Sequence, residues 1–141
     1  MLPRSAKQKG KVLENFVADE LSKIDKYAYR RADSGSGFRR KEDVFTTLPF
    51  FIECKNQAKL NITLWWKKTC FNCPEDKYPI LIYKQNYQHN PVVYMWLDDL
   101  FSFISDKKIN AFEENVMLFF TDFMSLLRRK YENSQTPTAK S

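Results

Sequence analysis

The chain has 141 residues, enough for one domain with a real core, and its 43% hydrophobic content, with twelve Phe and seven Tyr, excludes a disordered polypeptide. Its formal net charge of +6 at pH 7 points to a polyanionic partner. No run is long enough to span a membrane, Met1-Leu2-Pro3-Arg4 opens no apolar leader, and three cysteines are an odd count, so a cytoplasmic, reduced setting with no membrane partner is expected.

Residues 5 to 24 carry Leu13, Phe16, Val17, Leu21 and Ile24 at helical spacing, which predicts an amphipathic first helix. Glu14 falls in line with Val17, Leu21 and Ile24, so it points toward whatever the helix packs on. An acid in an early turn is also favoured by the helix dipole alone. Lys7, Lys9 and Lys11 decorate the same end. Residues 27 to 31 alternate like a first strand, ending in Arg30-Arg31. The following loop, 33 to 41, contains Ser34 and two of the three glycines, which free the backbone for close approach to a ligand. It turns strongly basic at Arg39-Arg40-Lys41, suiting phosphate contact. Neither the phosphate-loop lysine pattern nor the dinucleotide glycine spacing is present.

Asp43-Val44-Phe45 and Phe50-Phe51-Ile52-Glu53-Cys54-Lys55 read as two strands around a Thr46-Thr47-Leu48-Pro49 reversal. Alternation puts Glu53 and Lys55 on one face and Phe50, Ile52 and Cys54 on the other, apolar one. A turn that pairs Thr46 with Phe50 sets Val44 opposite Ile52 and Asp43 opposite Glu53, about 4.5–5.5 Å apart at Cβ. Two like charges so placed destabilise a purely structural hairpin. A shared divalent cation is the simplest reason to keep them.

A second helix is expected from about Asn61 or Thr63, with Ile62, Trp65, Trp66, Thr69, Cys70 and Cys73 at helical spacing and Pro74 closing it. Cys70 and Cys73 are read as buried thiols, since a structural zinc needs four ligands and the single histidine, His89, comes with no second Cys pair. Residues 79 to 83 and 91 to 96 read as two further strands. Residues 93 to 104 and 116 to 127 align without a gap, each as a strand followed by a short helix, with Asp98 or Thr121 as N-caps. A single helix over 113 to 132 is the competing reading. Residues 134 to 141 look like a disordered tail.

Asp43 followed by Glu53-Cys54-Lys55 on an apolar strand resembles the PD-(D/E)xK nuclease signature, with Glu42 standing where the signature has Pro. Upstream, Lys9-Gly10-Lys11-Val12-Leu13-Glu14 resembles the first-helix glutamate segment of the archaeal Holliday-junction resolvase branch. The resemblance spans roughly residues 7 to 57. It implies an α/β, restriction-endonuclease-like fold, a mixed central β-sheet flanked by helices, within a nuclease domain over residues 1 to 133. It further implies phosphodiester hydrolysis with Mg²⁺, Mn²⁺ being a substitute. Asp43, Glu53, the Cys54 carbonyl and Glu14 are then the metal ligands, and Lys55 orients the attacking water or stabilises the developing charge. Gln57 shares the face if the strand continues. Lys9, Lys11, Arg30, Arg31, Ser34, Arg39, Arg40, Lys41 and Gln57 become contacts to DNA, read by backbone shape. Branched DNA and a homodimer follow from the resolvase likeness, because a junction takes two symmetric incisions. The motif is chemistry without a substrate label, so linear duplex or single-stranded DNA stays open. A basic DNA-binding module without catalysis is the rival from another class.

Overall fold

A computed structural model describes residues 5–32, 41–86 and 88–135. Helix α1 (Ala6–Ser22) starts at a reciprocal cap, where the Ser5 hydroxyl accepts from Gln8 N–H and the Gln8 side chain accepts from Ser5 N–H. Two short strands, β1 (Tyr29–Arg30) and β2 (Val44–Phe45), lead into β3 (Phe50–Asn56). Helix α2 (Ile62–Asn72) then crosses to β4 (Tyr78–Lys84). The chain finishes with β5 (Val92–Trp96), α3 (Leu97–Ser105), β6 (Asn115–Phe119) and α4 (Phe120–Gln135).

Among the described residues, the strands form one six-stranded mixed sheet in the order β1-β2-β3-β4-β5-β6. β3 and β4 run parallel, as a strand–helix–strand crossover requires, and the other neighbours are antiparallel. The main core lies on one face, where Leu13, Val17 and Leu21 of α1, Leu100 and Phe103 of α3, and Phe120, Phe123 and Leu127 of α4 meet Phe50, Ile52, Ile80, Ile82, Val93 and Met95. Trp65 and Trp66 of α2 cover Leu81 and Tyr83 on the opposite face. Register carries this second face across the sheet, from Glu53 to Leu81, Tyr94 and Met117, and from Lys55 to Tyr83, Val92 and Phe119. Met117 (60% exposed) and Phe119 (53%) end these rows on the edge strand.

Several expectations change. The first helix stops at Ser22. Phe16 is 42% exposed, with its ring in contact with Phe120 of the core at 5.5 Å. Residues 116 to 127 are an edge strand plus helix, the pairing with β5 deciding against one continuous helix. Neither expected N-cap holds. α3 begins at Leu97, so Asp98 lies inside its first turn and instead accepts from the N–H groups of Phe112 and Glu113. α4 begins at Phe120, and the Thr121 N–H donates to Asn90 Oδ1. α4 runs through Gln135, and residues 136–141 lie outside the described part.

Candidate active site

Strand β3 positions the site. Its alternation turns Cys54 to the α1 face with Phe50 and Ile52, and Glu53 and Lys55 to the α2 face, as expected. Val44 pairs with Ile52 as expected, but Asp43 does not take the rung opposite Glu53. Its N–H donates to the Ile52 carbonyl (2.9 Å) and its carbonyl accepts from Arg31 N–H (2.8 Å), so Asp43 is held one step back along the hairpin. The carboxylate then reaches forward and accepts the Cys54 N–H at 2.8 Å. It supplies the bond that a longer β2 would have given with a backbone carbonyl.

Asp43 is 1% exposed and Glu53 4%. The thiol of Cys54 reports what surrounds it: burial pushes it well above the usual range, the charges of Asp43, Glu14 and Glu53 push it further, and Lys55 opposes them. The charges of three carboxylates and one lysine thus all reach this one strand residue. Glu14, half-buried on α1, lies 3.6 Å from Arg30 Nε on β1. A residue's N–H and C=O leave a strand on the same edge, so the Cys54 carbonyl faces the Asp43 side. Two buried carboxylates beside a strand carbonyl are the hard-oxygen set that suits Mg²⁺, which takes one or two carboxylates and keeps its remaining positions for water and phosphate. Among the described residues, no three His, Cys, Asp or Glu side chains are grouped closely enough to hold an ion by themselves.

Other expected residues sit less centrally. β3 ends at Asn56, so Gln57 falls just outside the strand. Arg31 is engaged by buried Glu42, Nε to Oε1 at 2.5 Å, and Lys77 approaches the other Glu42 oxygen at 3.5 Å. The residue that replaces the signature's Pro is therefore a clamp between the β1 side and the approach to β4. Lys11 and Lys41 are exposed and Lys9 is half-buried. Ser34, Arg39 and Arg40 lie outside the described residues. Cys70 and Cys73 are half-buried rather than buried, and burial pushes their thiols to about 11 and about 12.

Asn56 was missed from the sequence. It is 8% exposed, its Nδ2 donates to the Lys9 carbonyl of α1 at 3.3 Å, and its buried Oδ1 has no hydrogen-bond partner among the described residues. The only available signal was an amide directly after Lys55. A cavity of about 1080 Å³ opens elsewhere, at the start of β3, lined by Pro49, Tyr78, Asp99, Phe103 and Tyr131, and contains none of the candidate residues.

A family model described as "Phage putative PDDEXK endonuclease" matches residues 5–132. The chain belongs to that family. The six-stranded mixed sheet with helices on both faces is its α/β, restriction-endonuclease-like fold. Membership in the PDDEXK endonucleases makes nuclease chemistry on DNA the coarse function, and such nucleases generally use divalent metals. No curated protein and no solved structure matches the chain. No helix among the described residues of this PDDEXK endonuclease is long and apolar enough to cross a membrane.

Proposed function

We propose that the chain is a Mg²⁺-dependent endonuclease that hydrolyses phosphodiester bonds in branched DNA, with Mn²⁺ as a working substitute. The observation that carries the reading is the pair of buried carboxylates, Asp43 and Glu53, flanking Cys54 with Lys55 next on the strand. Asp43, Glu53 and the Cys54 carbonyl are the proposed ligands. When bound, the ion would neutralise charge at phosphorus and lower the pKa of a bound water.

The protein's own groups divide the remaining work. The Cys54 N–H fixes one oxygen of Asp43 and so sets the orientation of this carboxylate. Lys55 orients the attacking water or offsets the charge that develops on phosphate oxygens. Glu14 completes the acidic group from α1 and keeps Arg30 beside it until phosphate competes for the guanidinium. Lys9, Lys11 and Lys41, with the basic loop, carry the strand in by its backbone.

Branched DNA rests on the likeness of residues 9 to 14 to the resolvase helix. A homodimer goes with it, since a single domain of this size carries one copy of the motif and a junction needs two cuts. The exposed Met117 and Phe119 on the edge strand β6 offer an apolar contact for that association. The test is a digest of a four-way junction beside a matched linear duplex, in Mg²⁺ and in EDTA. The expected result is metal-dependent junction cleavage that is lost in Asp43→Asn, Glu53→Gln and Lys55→Ala, each still folded by circular dichroism. Full turnover by any one folded variant would sink the site, and preference for the linear duplex would remove the branched substrate.

A further inference from the structure

Helix α1 contains a glycine that its fold does not need. Gly10 lies in the helix interior, where glycine is less favourable than alanine. Such a cost is usually repaid by close packing. Here a side-chain carbon built at Gly10 meets nothing within 4 Å among the described residues. The space is open although Gly10 falls in line, at spacings of four, three and four, with Glu14, Val17 and Leu21. Val17 and Leu21 are fully buried against the sheet. The stripe that packs α1 onto the sheet therefore continues past the core, through Glu14, to open space at Gly10.

The end of β3 comes up beside that space. Asn56 reaches across and donates Nδ2 to the carbonyl of Lys9, the residue before Gly10. That bond fixes which way the amide faces, because the reversed amide would set two oxygens against each other. Its acceptor oxygen is then buried with no partner among the described residues, an arrangement that native proteins reserve for a water or a ligand group. Lys7 shares the Gly10 face, and Lys11 stands beside it. No acid occupies the first turn of the helix.

We infer that the surface between the first turns of α1 and the end of β3 is the entry subsite for the nucleic-acid strand, and that Gly10 is bare so that the strand's backbone can lie against the helix beside Glu14. The inference rests on the nuclease reading and adds to it the path that the strand takes. Lys7 and Lys11 meet phosphate, and the Asn56 oxygen accepts from a water carried with the strand. Phosphate itself has no proton to offer that oxygen.

The test places side chains in the open space. Gly10→Leu places its Cβ in open space among the described residues and replaces glycine with a good helix former, so its melting temperature should equal or exceed that of the parent. Its affinity for a labelled four-way junction and a matched duplex, read by fluorescence anisotropy with Ca²⁺ in place of Mg²⁺, should fall about tenfold or more, or about 1.4 kcal/mol. Gly10→Ala should fall in between. Parental affinity in a folded Gly10→Leu overturns the subsite, and if the parent cuts DNA the nuclease reading survives that result. A parent that binds but does not cut defeats the nuclease reading, while the affinity series still decides the strand's path. No DNA binding by the parent overturns both.

Discussion

Removing the carboxylate of Asp25 should loosen the hairpin that delivers Asp43. Asp25 lies buried after α1, where Oδ2 accepts from the Thr46 hydroxyl and the Thr47 N–H, both at 2.7 Å, and Oδ1 accepts from the Tyr27 N–H at 3.1 Å. It ties the turn before β1 to the turn between β2 and β3. Burial works against its charge, but these donors outweigh it and hold the carboxyl below the usual range. Each hydrogen bond to a charged group contributes about 1.5–3 kcal/mol, and with discount for solvent screening Asp25→Ala should cost about 2–4 kcal/mol in total. The unfolding entropy of a chain this long is about 0.3 kcal/mol/K, so the melting temperature should fall by about 7–13 °C. Scanning calorimetry at pH 7 reads this directly. The sign with pH is fixed by linkage. A depressed carboxyl contributes stability above its unfolded pKa of about 3.9 and loses it as pH falls through the lower folded value, so parent and variant should converge in strong acid. A melting temperature within about 2 °C of the parent at pH 7, or a gap that persists in acid, would refute the network's role.

Asp99 should behave in the opposite sense. Burial, then the charge of Asp98, push its carboxyl to about 6, so the folded chain loses stability as pH rises from about 4 to 6 and levels off above. Asp99→Asn should gain roughly 1 kcal/mol at pH 7.5 after allowance for screening, about 3 °C, and nothing at pH 4. Converting Arg39, Arg40 and Lys41 together to Gln should weaken DNA binding and flatten the slope of log affinity against log salt by roughly 2–3, because fewer counterions are released. An unchanged slope in the same titration would put the DNA elsewhere.

Much of the fold was legible because it follows from local periodicity. The separation of Glu53 and Lys55 from Phe50, Ile52 and Cys54 is fixed by a strand's period of two, and the paired strand–helix units after residue 92 were visible in their aligned apolar runs. What sequence could not supply was contact between separate segments. The Asp43 carboxylate caps the Cys54 N–H only because β2 is two residues long, and a pattern of residue types does not reveal where a ladder stops. Glu42 reads as a gap in the signature, yet its partners, Arg31 and Lys77, arrive from opposite directions along the chain. Asp98 carries every mark of an N-cap and serves a distant loop instead. The open space beside Gly10 among the described residues depends on how α1 meets the sheet, and no residue announces it.

The position of Cys54 bears on how the protein can be handled. Thiol reagents and peroxides attack the thiolate, whose population falls tenfold for every unit by which the pKa rises. Burial and the charges of Asp43, Glu14 and Glu53 push the Cys54 thiol well up, and Cys70 and Cys73 are raised to about 11 and about 12. At neutral pH all three should label slowly with maleimide, and activity should survive storage without reductant. A fluorophore for tracking the protein on DNA therefore calls for an introduced cysteine. Exposed Ser125, on the outer side of α4, is a suitable place, since its hydroxyl only donates back to the Thr121 carbonyl within its own helix.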